Sequence, residues 1–179
     1  MRLAAFALLK RRVPSARYWI VGRVDQPEYL KTLQRFIEQE HLEDVNFLGE
    51  LSPEALRKCY QDASLFALAP QQVGFSFEGF GLVFLDAGAY GLPVVATRTG
   101  GVADAIDGGT TGLLTDPSDR EGLAAAMERL LTDNELARRM GLANRERAEM
   151  FTWERSAIEM NEIYELFRRR KSAVIGSTG

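Results

Sequence analysis

The chain has 179 residues, of which 46% are hydrophobic and 26% are charged, a balance typical of one globular domain with a real core. Its formal net charge of −3 argues against a nucleic-acid binder that relies on a broad basic surface. The single cysteine excludes an intrachain disulfide, and no apolar run approaches the ~20 residues that span a bilayer.

Short apolar runs alternate with amphipathic segments along the first part of the chain. The apolar runs end at glycine or proline, as strands do, and the amphipathic segments carry apolar residues at helical spacing. Ser52-Pro53-Glu54 is a clear helix start. The predicted elements are helix 1–12, strand 18–21, helix 27–40, strand 45–48, helix 53–61 and strand 65–68.

The second part of the chain continues the same alternation and then becomes helical. Predicted capping boxes pair Ser118 with Glu121 and Thr132 with Glu135, and Thr152 opens the last helix. Residues 171–179 are predicted to be a disordered tail. The predicted elements are helix 80–90, strand 93–97, a short helix over 103–106, strand 113–114, and helices 119–131 and 133–149.

Strands that alternate with helices over short loops predict an α/β fold, in which a Rossmann-like, doubly wound parallel sheet is flanked by helices. We expect one domain over residues 1–170. Such sheets normally begin with a strand near their centre, whereas the first predicted element here is a helix. We therefore expect the first strand of the sheet to be missing.

A glycine-rich segment with two carboxylates follows the strand predicted over 65–68. Glu78 precedes Gly79-Phe80-Gly81 at the start of helix 80–90, and Asp86 follows Glu78 by eight positions. Open parallel sheets bind ligands beyond the carboxyl ends of their strands, and a helix N-terminus with free amides favours phosphate. The glycines let a ligand approach the backbone.

The two carboxylates indicate that the ligand carries more than phosphate. A carboxylate repels phosphate but accepts hydrogen bonds from sugar hydroxyls. The order hydroxyl, diphosphate, hydroxyl describes a nucleotide diphosphate sugar, and Gly100-Gly101 at the end of the next strand would line the same crevice. Each feature alone is more often an ordinary turn or a solvated helix residue, so the combination is what indicates a site.

The combined motif resembles the C-terminal, donor-binding domain of retaining GT-B glycosyltransferases of the group 1 type (glycosyltransferase family 4), which includes sucrose synthase-like and mannosyltransferase-like enzymes. Flanking matches such as Phe47-Leu48-Gly49 and Phe151-Thr152-Trp153 extend the resemblance over about residues 1–168. The residues that match the E-x7-E signature and its continuation are Glu78-Gly79-Phe80-Gly81, Asp86-Ala87, Ala89, Gly91, Pro93-Val94-Val95-Ala96 and Gly100-Gly101.

The resemblance implies transfer of a hexose from a UDP-, GDP- or ADP-sugar to an acceptor, with retention of anomeric configuration. It implies that Glu78 is the catalytic carboxylate beside the donor sugar, and that Asp86 holds the ribose hydroxyls. The family usually has Glu at the second position, so Asp86 is one methylene shorter. No obligatory metal or other cofactor is implied. The other donor-binding residues implied are Leu51, bordering the base, and Phe80, Gly81, Leu82 and Val83, through backbone amides.

The resemblance also implies parts that these residues lack. In the family, a strand followed by Arg and Lys precedes the helix that matches residues 1–12, and an N-terminal domain holds the acceptor. We therefore expect half of a GT-B fold that is inactive alone and has the missing N-terminal domain, or another copy bound through the last helix, as its partner. We expect a cytoplasmic protein, with membrane-surface contact left open because some relatives glycosylate lipids.

Two other functions compete with a glycosyltransferase half. A non-catalytic module that binds a nucleotide sugar and assembles with a separate N-terminal partner would share the same motif. A dinucleotide-binding domain would require G-x-G-x-x-G after the first strand, where this chain has Gly22-Arg23-Val24-Asp25. The sequence therefore favours a donor site and leaves the first alternative open.

Overall fold

The structure is a computed structural model that describes residues 2–71 and 78–176. It confirms an α/β fold with parallel strands flanked by helices. In chain order the elements are α1 (Arg2–Arg12), β1 (Tyr18–Val21), α2 (Pro27–Gln39), β2 (Val45–Gly49), α3 (Pro53–Asp62), β3 (Phe66–Leu68), α4 (Leu82–Ala89), β4 (Val94–Thr97), α5 (Val102–Ala105), β5 (Gly112–Thr115), α6 (Arg120–Thr132), α7 (Asn134–Met150) and α8 (Trp153–Gly176).

The described strands form two parallel sheets, although the sequence predicts one continuous sheet. β1 pairs with β2 in the register Tyr18 to Val45, and a second sheet has the order β3-β4-β5. β4 has a strand on each side, and its four residues are all buried. Within the described ranges, β1 and β3 are not hydrogen-bonded to each other, and no described strand lies between them to join the two sheets.

Helix starts follow the predicted chemistry, but two caps are displaced by one residue. The Ser52 hydroxyl accepts a hydrogen bond from the Ala55 amide at 3.3 Å, as predicted for α3. α6 is capped by Asp119 rather than Ser118, and α7 by Asp133 rather than Thr132, with carboxylate-to-amide distances of 2.7 and 2.9 Å. Aspartate caps as well as serine does, so neighbouring candidates compete and the geometry of the preceding loop decides.

The last helix extends further than predicted. α8 continues to Gly176, so residues 171–176 belong to a helix where the sequence predicts a disordered tail. The sequence Arg-Arg-Arg-Lys-Ser-Ala after Phe167 contains no glycine or proline that would end a helix. The remaining residues of the predicted tail, 177–179, lie outside the described part of the chain.

Two apolar clusters hold the helices against the strands. One cluster joins α1 to α6 through residues such as Phe6 and Met127, and the other surrounds Phe84 of α4 with residues of β4 and α5. The buried Asn144 amide of α7 donates to the Leu92 carbonyl at 2.8 Å and so ties α7 to the turn after α4. α4, the helix of the predicted site, is thereby packed on its buried side against α7 and β4.

The C-terminus of α4 is closed by the predicted glycine. Gly91 has a φ of +71°, and its amide donates to the Gly88 carbonyl, while the Leu92 amide donates to Ala87. These two bonds form a Schellman motif, which satisfies the last carbonyls of a helix. Gly91 therefore ends α4, and Pro93 leads directly into β4.

Candidate functional site

α4 begins with amides that no side chain of the described residues caps. Its N-cap is Gly81, with φ of +82° and ψ of +67°, so α4 begins at Leu82, two residues later than the predicted helix start. A Cβ atom at this position would lie 2.5 Å from the Phe84 ring, so only glycine fits. The Phe84 amide donates to the Gly81 carbonyl at 2.9 Å. Because Gly81 offers no side-chain acceptor, the N–H groups of Leu82 and Val83 remain available to an anion.

The Glu78 side chain folds toward this helix start. Its carboxyl carbon lies 3.6 Å from the position that a Cβ on Gly81 would occupy, and the residue is half-buried. Its carbonyl oxygen accepts a hydrogen bond from the Gly101 amide at 3.0 Å. The structure therefore places a carboxylate beside an uncapped helix N-terminus.

Gly100 and Gly101 support the loop that contains Glu78. A Cβ on Gly100, which has a φ of +51°, would overlap the Glu78 carbonyl oxygen, and a Cβ on Gly101 would overlap that of Gly79. The sequence predicts that these glycines line the ligand crevice. Their described contacts are with the backbone of the site loop, which passes too close for any larger residue. That they also line the crevice stays a prediction.

Phe80 anchors the same loop to the junction between α7 and α8. Its ring centroid lies 5.5 Å from that of Phe151, and the Arg147 guanidinium lies 5.4 Å from the Phe151 centroid. Arg147 also donates to the carbonyls of Ala105 and Asp104, at 2.8 and 2.5 Å. Sequence reasoning missed the contact between Phe80 and Phe151, because 71 positions separate them and no local pattern links them.

Asp86 lies on the exposed side of α4, one helical turn after Leu82. Partial burial raises the pKa of the Asp86 carboxyl above its ordinary value. Burial, together with the negative charges of Asp86 and Tyr90, raises the pKa of Tyr60 to about 12. The rings of Tyr60 and Tyr90 stack with centroids 5.2 Å apart. A tyrosine pair therefore accompanies the second carboxylate.

Neither tyrosine was among the predicted site residues. Tyr90 follows Asp86 by four positions, so helical spacing alone could have placed the two side by side. Tyr60 belongs to α3, and nothing near it in the sequence signals its proximity to Asp86. A further unpredicted group is the exposed Arg98, which directly follows β4 and adds a cation at the carboxyl end of that strand.

The remaining predicted residues differ in their placement. Leu82 is 63% exposed and Val83 is 37% exposed, so the first turn of α4 presents an apolar surface to solvent. Leu51 is half-buried and follows β2, in the two-stranded sheet, whereas Glu78 and Asp86 flank the three-stranded sheet. Residues 72–77, which include most of the loop before Glu78, lie outside the described part of the chain.

Across residues 2–71 and 78–176, the structure contains no helix with the combined length and apolarity that crossing a membrane requires.

Comparisons with known proteins identify relatives over most of the chain. The profile of the family "Glycosyl transferases group 1" matches residues 2–147. The GDP-mannose-dependent alpha-(1-6)-phosphatidylinositol monomannoside mannosyltransferase of Mycolicibacterium smegmatis is 33% identical over 177 residues, which are 97% of this chain and 46% of that protein. The chain spans less than half the length of the curated relatives that it matches.

Solved GT-B glycosyltransferase structures share the fold. Sucrose-phosphate synthase from Thermosynechococcus elongatus superposes with a TM-score of 0.76 and 29% identity, over 93% of this chain and 42% of that one. Anabaena HepE in complex with UDP-glucose superposes with a TM-score of 0.73 and 25% identity, over 84% of this chain and 40% of that one. The chain therefore resembles one portion of these longer proteins.

Proposed function

Since the chain belongs to the glycosyl transferases of group 1, we propose that it is the donor-binding half of a retaining glycosyltransferase. The reaction would move a hexose from a nucleotide diphosphate sugar to an acceptor. The name of the Mycolicibacterium relative specifies GDP-mannose, and HepE was solved with UDP-glucose, so relatives with different bases support the same class of donor. The chain alone is proposed to be inactive, with an N-terminal half supplying the acceptor site.

One observation supports this function best: the Glu78 carboxyl lies beside Gly81 at the uncapped N-terminus of α4. The backbone amides of Phe80, Gly81, Leu82 and Val83 would bind the diphosphate, since the helix dipole adds about half a positive charge there. The Glu78 carboxylate, which would repel a phosphate in the same place, would accept hydrogen bonds from the sugar hydroxyls.

Asp86 would hold the other end of the donor. It lies on the same exposed side of α4 as Leu82, one turn further from the helix start. A ribose hydroxyl there would donate to the Asp86 carboxylate, with the Tyr60–Tyr90 pair beside it. Leu51 would border the base.

The chemical step would rest on stabilising the leaving nucleotide diphosphate. Negative charge develops on the diphosphate as the glycosidic bond breaks, and preorganised amides aimed at such a charge are among the strongest catalytic devices. Glu78 would hold the sugar while this bond breaks. We assign no role to a metal in this step. The exposed Arg98 adds positive charge at the same edge of the sheet.

The exposed apolar side chains of α8 favour a partner for this half. Trp153 is 84% exposed, and Ile158 and Phe167 are 61% and 64% exposed. Exposed apolar surface of this kind marks an interface, which we assign to the N-terminal half or to another copy of the chain. It equally suits the second candidate, a non-catalytic module that assembles with a separate partner. The reading frame upstream of this chain distinguishes the two.

The location of the reaction follows from the donor and the acceptor. We propose a cytoplasmic reaction, because nucleotide sugars would be the donors. The acceptor in the name of the Mycolicibacterium relative is a phosphatidylinositol monomannoside. An acceptor of that kind would bring the protein to a membrane surface without a spanning helix.

A nucleotide panel tests the proposed function. We expect at least one of UDP, GDP and ADP to bind the chain with a Kd of millimolar or below by isothermal titration calorimetry, because the amides and Asp86 are present without the acceptor half. AMP, which lacks the second phosphate, is the control and is expected to bind at least tenfold more weakly than ADP. Failure of all three diphosphates at millimolar concentration would contradict the proposal.

A further inference from the structure

Arg147, in the last turn of α7, contacts main chain and an aromatic ring instead of a carboxylate. Its guanidinium donates to the Ala105 carbonyl at 2.8 Å and to the Asp104 carbonyl at 2.5 Å, and it lies 5.4 Å from the centroid of the Phe151 ring. Among the described residues, no carboxylate forms an ion pair with it. Its N–H donors and its charge therefore serve to hold α5 and the α7–α8 junction.

The first path of contact from Arg147 to the site loop runs through α5. Asp104 and Ala105 are the last residues of this four-residue helix, so Arg147 satisfies carbonyls that a helix end leaves without a donor. At the other end of α5, the Gly101 amide donates to the Glu78 carbonyl at 3.0 Å. A single helical turn, about 6 Å long, therefore connects Arg147 to the main chain of Glu78.

The second path of contact runs through two aromatic rings. Phe151 follows Arg147 by four positions, a spacing that brings side chains together at the end of a helix, and the guanidinium over its ring is a favourable cation–π contact. The Phe151 ring in turn lies 5.5 Å from the Phe80 ring, between centroids. Phe80 follows Glu78 by two residues, so both paths end on the same loop.

The helix that carries Arg147 is fixed against α4. The buried Asn144 amide of α7 donates to the Leu92 carbonyl, just after α4, at 2.8 Å. The two helices pass so close that a Cβ on Gly88 of α4 would lie 2.7 Å from the Asn144 carbonyl oxygen. Arg147 follows Asn144 by three positions. The residue that holds the site loop therefore has a defined position relative to the site helix.

We propose that Arg147 is a positioning residue for Glu78, which holds the site loop through both paths at a fixed distance from α4. The inference rests on the proposed function, in which Glu78 meets the sugar of the donor. The Asp86 carboxylate and the amides of Leu82 and Val83 belong to α4 itself, so they stay in place when the loop moves. Arg147 therefore controls binding of the sugar end of the donor and has little effect on its phosphate and ribose ends.

Calorimetry on the full chain tests this role, with UDP, GDP and ADP and with the glucose or mannose conjugate of each. Arg147→Met keeps most of the side-chain length but removes its charge and its N–H donors. We expect the conjugate to bind about fivefold more weakly, as for the loss of about one hydrogen bond to the sugar, and the diphosphate to change by about twofold or less. Arg145→Met is the matched control, because Arg145 on the same helix pairs with the exposed Glu149 and should change neither Kd.

The Glu78→Ala background shows whether Arg147 acts through Glu78. Adding Arg147→Met to Glu78→Ala should leave the Kd of the conjugate unchanged, because the carboxylate that Arg147 positions is already absent. A residue that only stabilises the domain would weaken the conjugate in both backgrounds, since the effects of independent substitutions add. Phe151→Leu keeps an apolar side chain but removes the ring that contacts Phe80, so it should give the same selective loss even if Arg147→Met does not fold.

The outcomes separate this inference from the proposed function. A loss confined to the conjugate, and absent in the Glu78→Ala background, supports the role of Arg147. Equal weakening of diphosphate and conjugate, the same loss in both backgrounds, or no loss in either variant would overturn that role, whereas binding by the original chain would leave the proposed function standing. If no diphosphate or conjugate binds the original chain, the proposed function fails and the role of Arg147 fails with it.

Discussion

Replacing Gly101 by alanine is expected to lower the free energy of unfolding by about 2–4 kcal/mol, because the new methyl group overlaps the backbone of the site loop. The Cβ would collide with the Gly79 carbonyl oxygen, which belongs to main chain and cannot rotate away as a side chain could. Moving the site loop away from this collision would also strain the hydrogen bond from the Gly101 amide to the Glu78 carbonyl. Urea denaturation of both proteins measures the loss.

Gly79→Ala is the matched control for this substitution. Beyond its two chain neighbours, no described residue has an atom within 4 Å of a Cβ at Gly79, so the same change of side chain should cost less than about 1 kcal/mol. Because Glu78 moves with the loop, Gly101→Ala is also expected to weaken binding of a nucleotide diphosphate sugar. Equal stability of the two variants would contradict the conclusion that position 101 requires glycine because two backbone segments pass close together there.

Replacing Leu82 by glutamate is expected to weaken nucleotide diphosphate binding at least tenfold while leaving the fold intact or slightly more stable. Leu82 is the first residue of α4 and is 63% exposed, so the substitution adds a negative charge at the helix start without disturbing the core. That negative charge interacts favourably with the helix dipole and stabilises the helix by about 0.3–1 kcal/mol, but it repels a bound diphosphate. Calorimetry and urea denaturation measure the opposite effects.

Leu82→Gln separates charge from shape. Glutamine has nearly the size of glutamate without its charge, so its effect on binding should be several times smaller than that of Leu82→Glu. The difference between the two should shrink as salt is raised, since a charge at the surface is screened. If both variants bind as the original chain does, the α4 amides are not the diphosphate site.

Patterns within each segment predicted the order and type of the helices and strands. The structure differs from the prediction mainly where contacts between distant segments determine the result. Periodicity and glycine or proline stops placed α4 and β4 to within two residues, because these signals belong to the segments themselves. The division into two sheets was not predicted, since it depends on which strand edges meet. The α6 and α7 caps moved by one residue because Asp119 and Asp133 were adjacent competitors.

The candidate site also combines residues that the sequence predicts with residues that only the folded structure brings to it. Glu78, Gly81 and Asp86 were predicted because they form one continuous motif around the start of α4. Tyr60 and Phe151 could not be predicted, because α3 and the α7–α8 junction reach the motif only in the folded chain. The glycines at 100 and 101 were recognised as part of the motif, but only the structure gives the reason, which is close passage of two backbone segments.

The most direct measurement compares a nucleotide diphosphate with its hexose conjugate by calorimetry, in the original chain and in two alanine variants. Asp86→Ala should weaken both ligands at least tenfold and equally, because the ribose is common to them, whereas Glu78→Ala should weaken only the conjugate. Asp104→Ala, which removes another exposed carboxylate, should change neither. Equal effects of Glu78→Ala on both ligands, or none of Asp86→Ala on either, would contradict a donor site with its sugar end at Glu78 and its ribose end at Asp86.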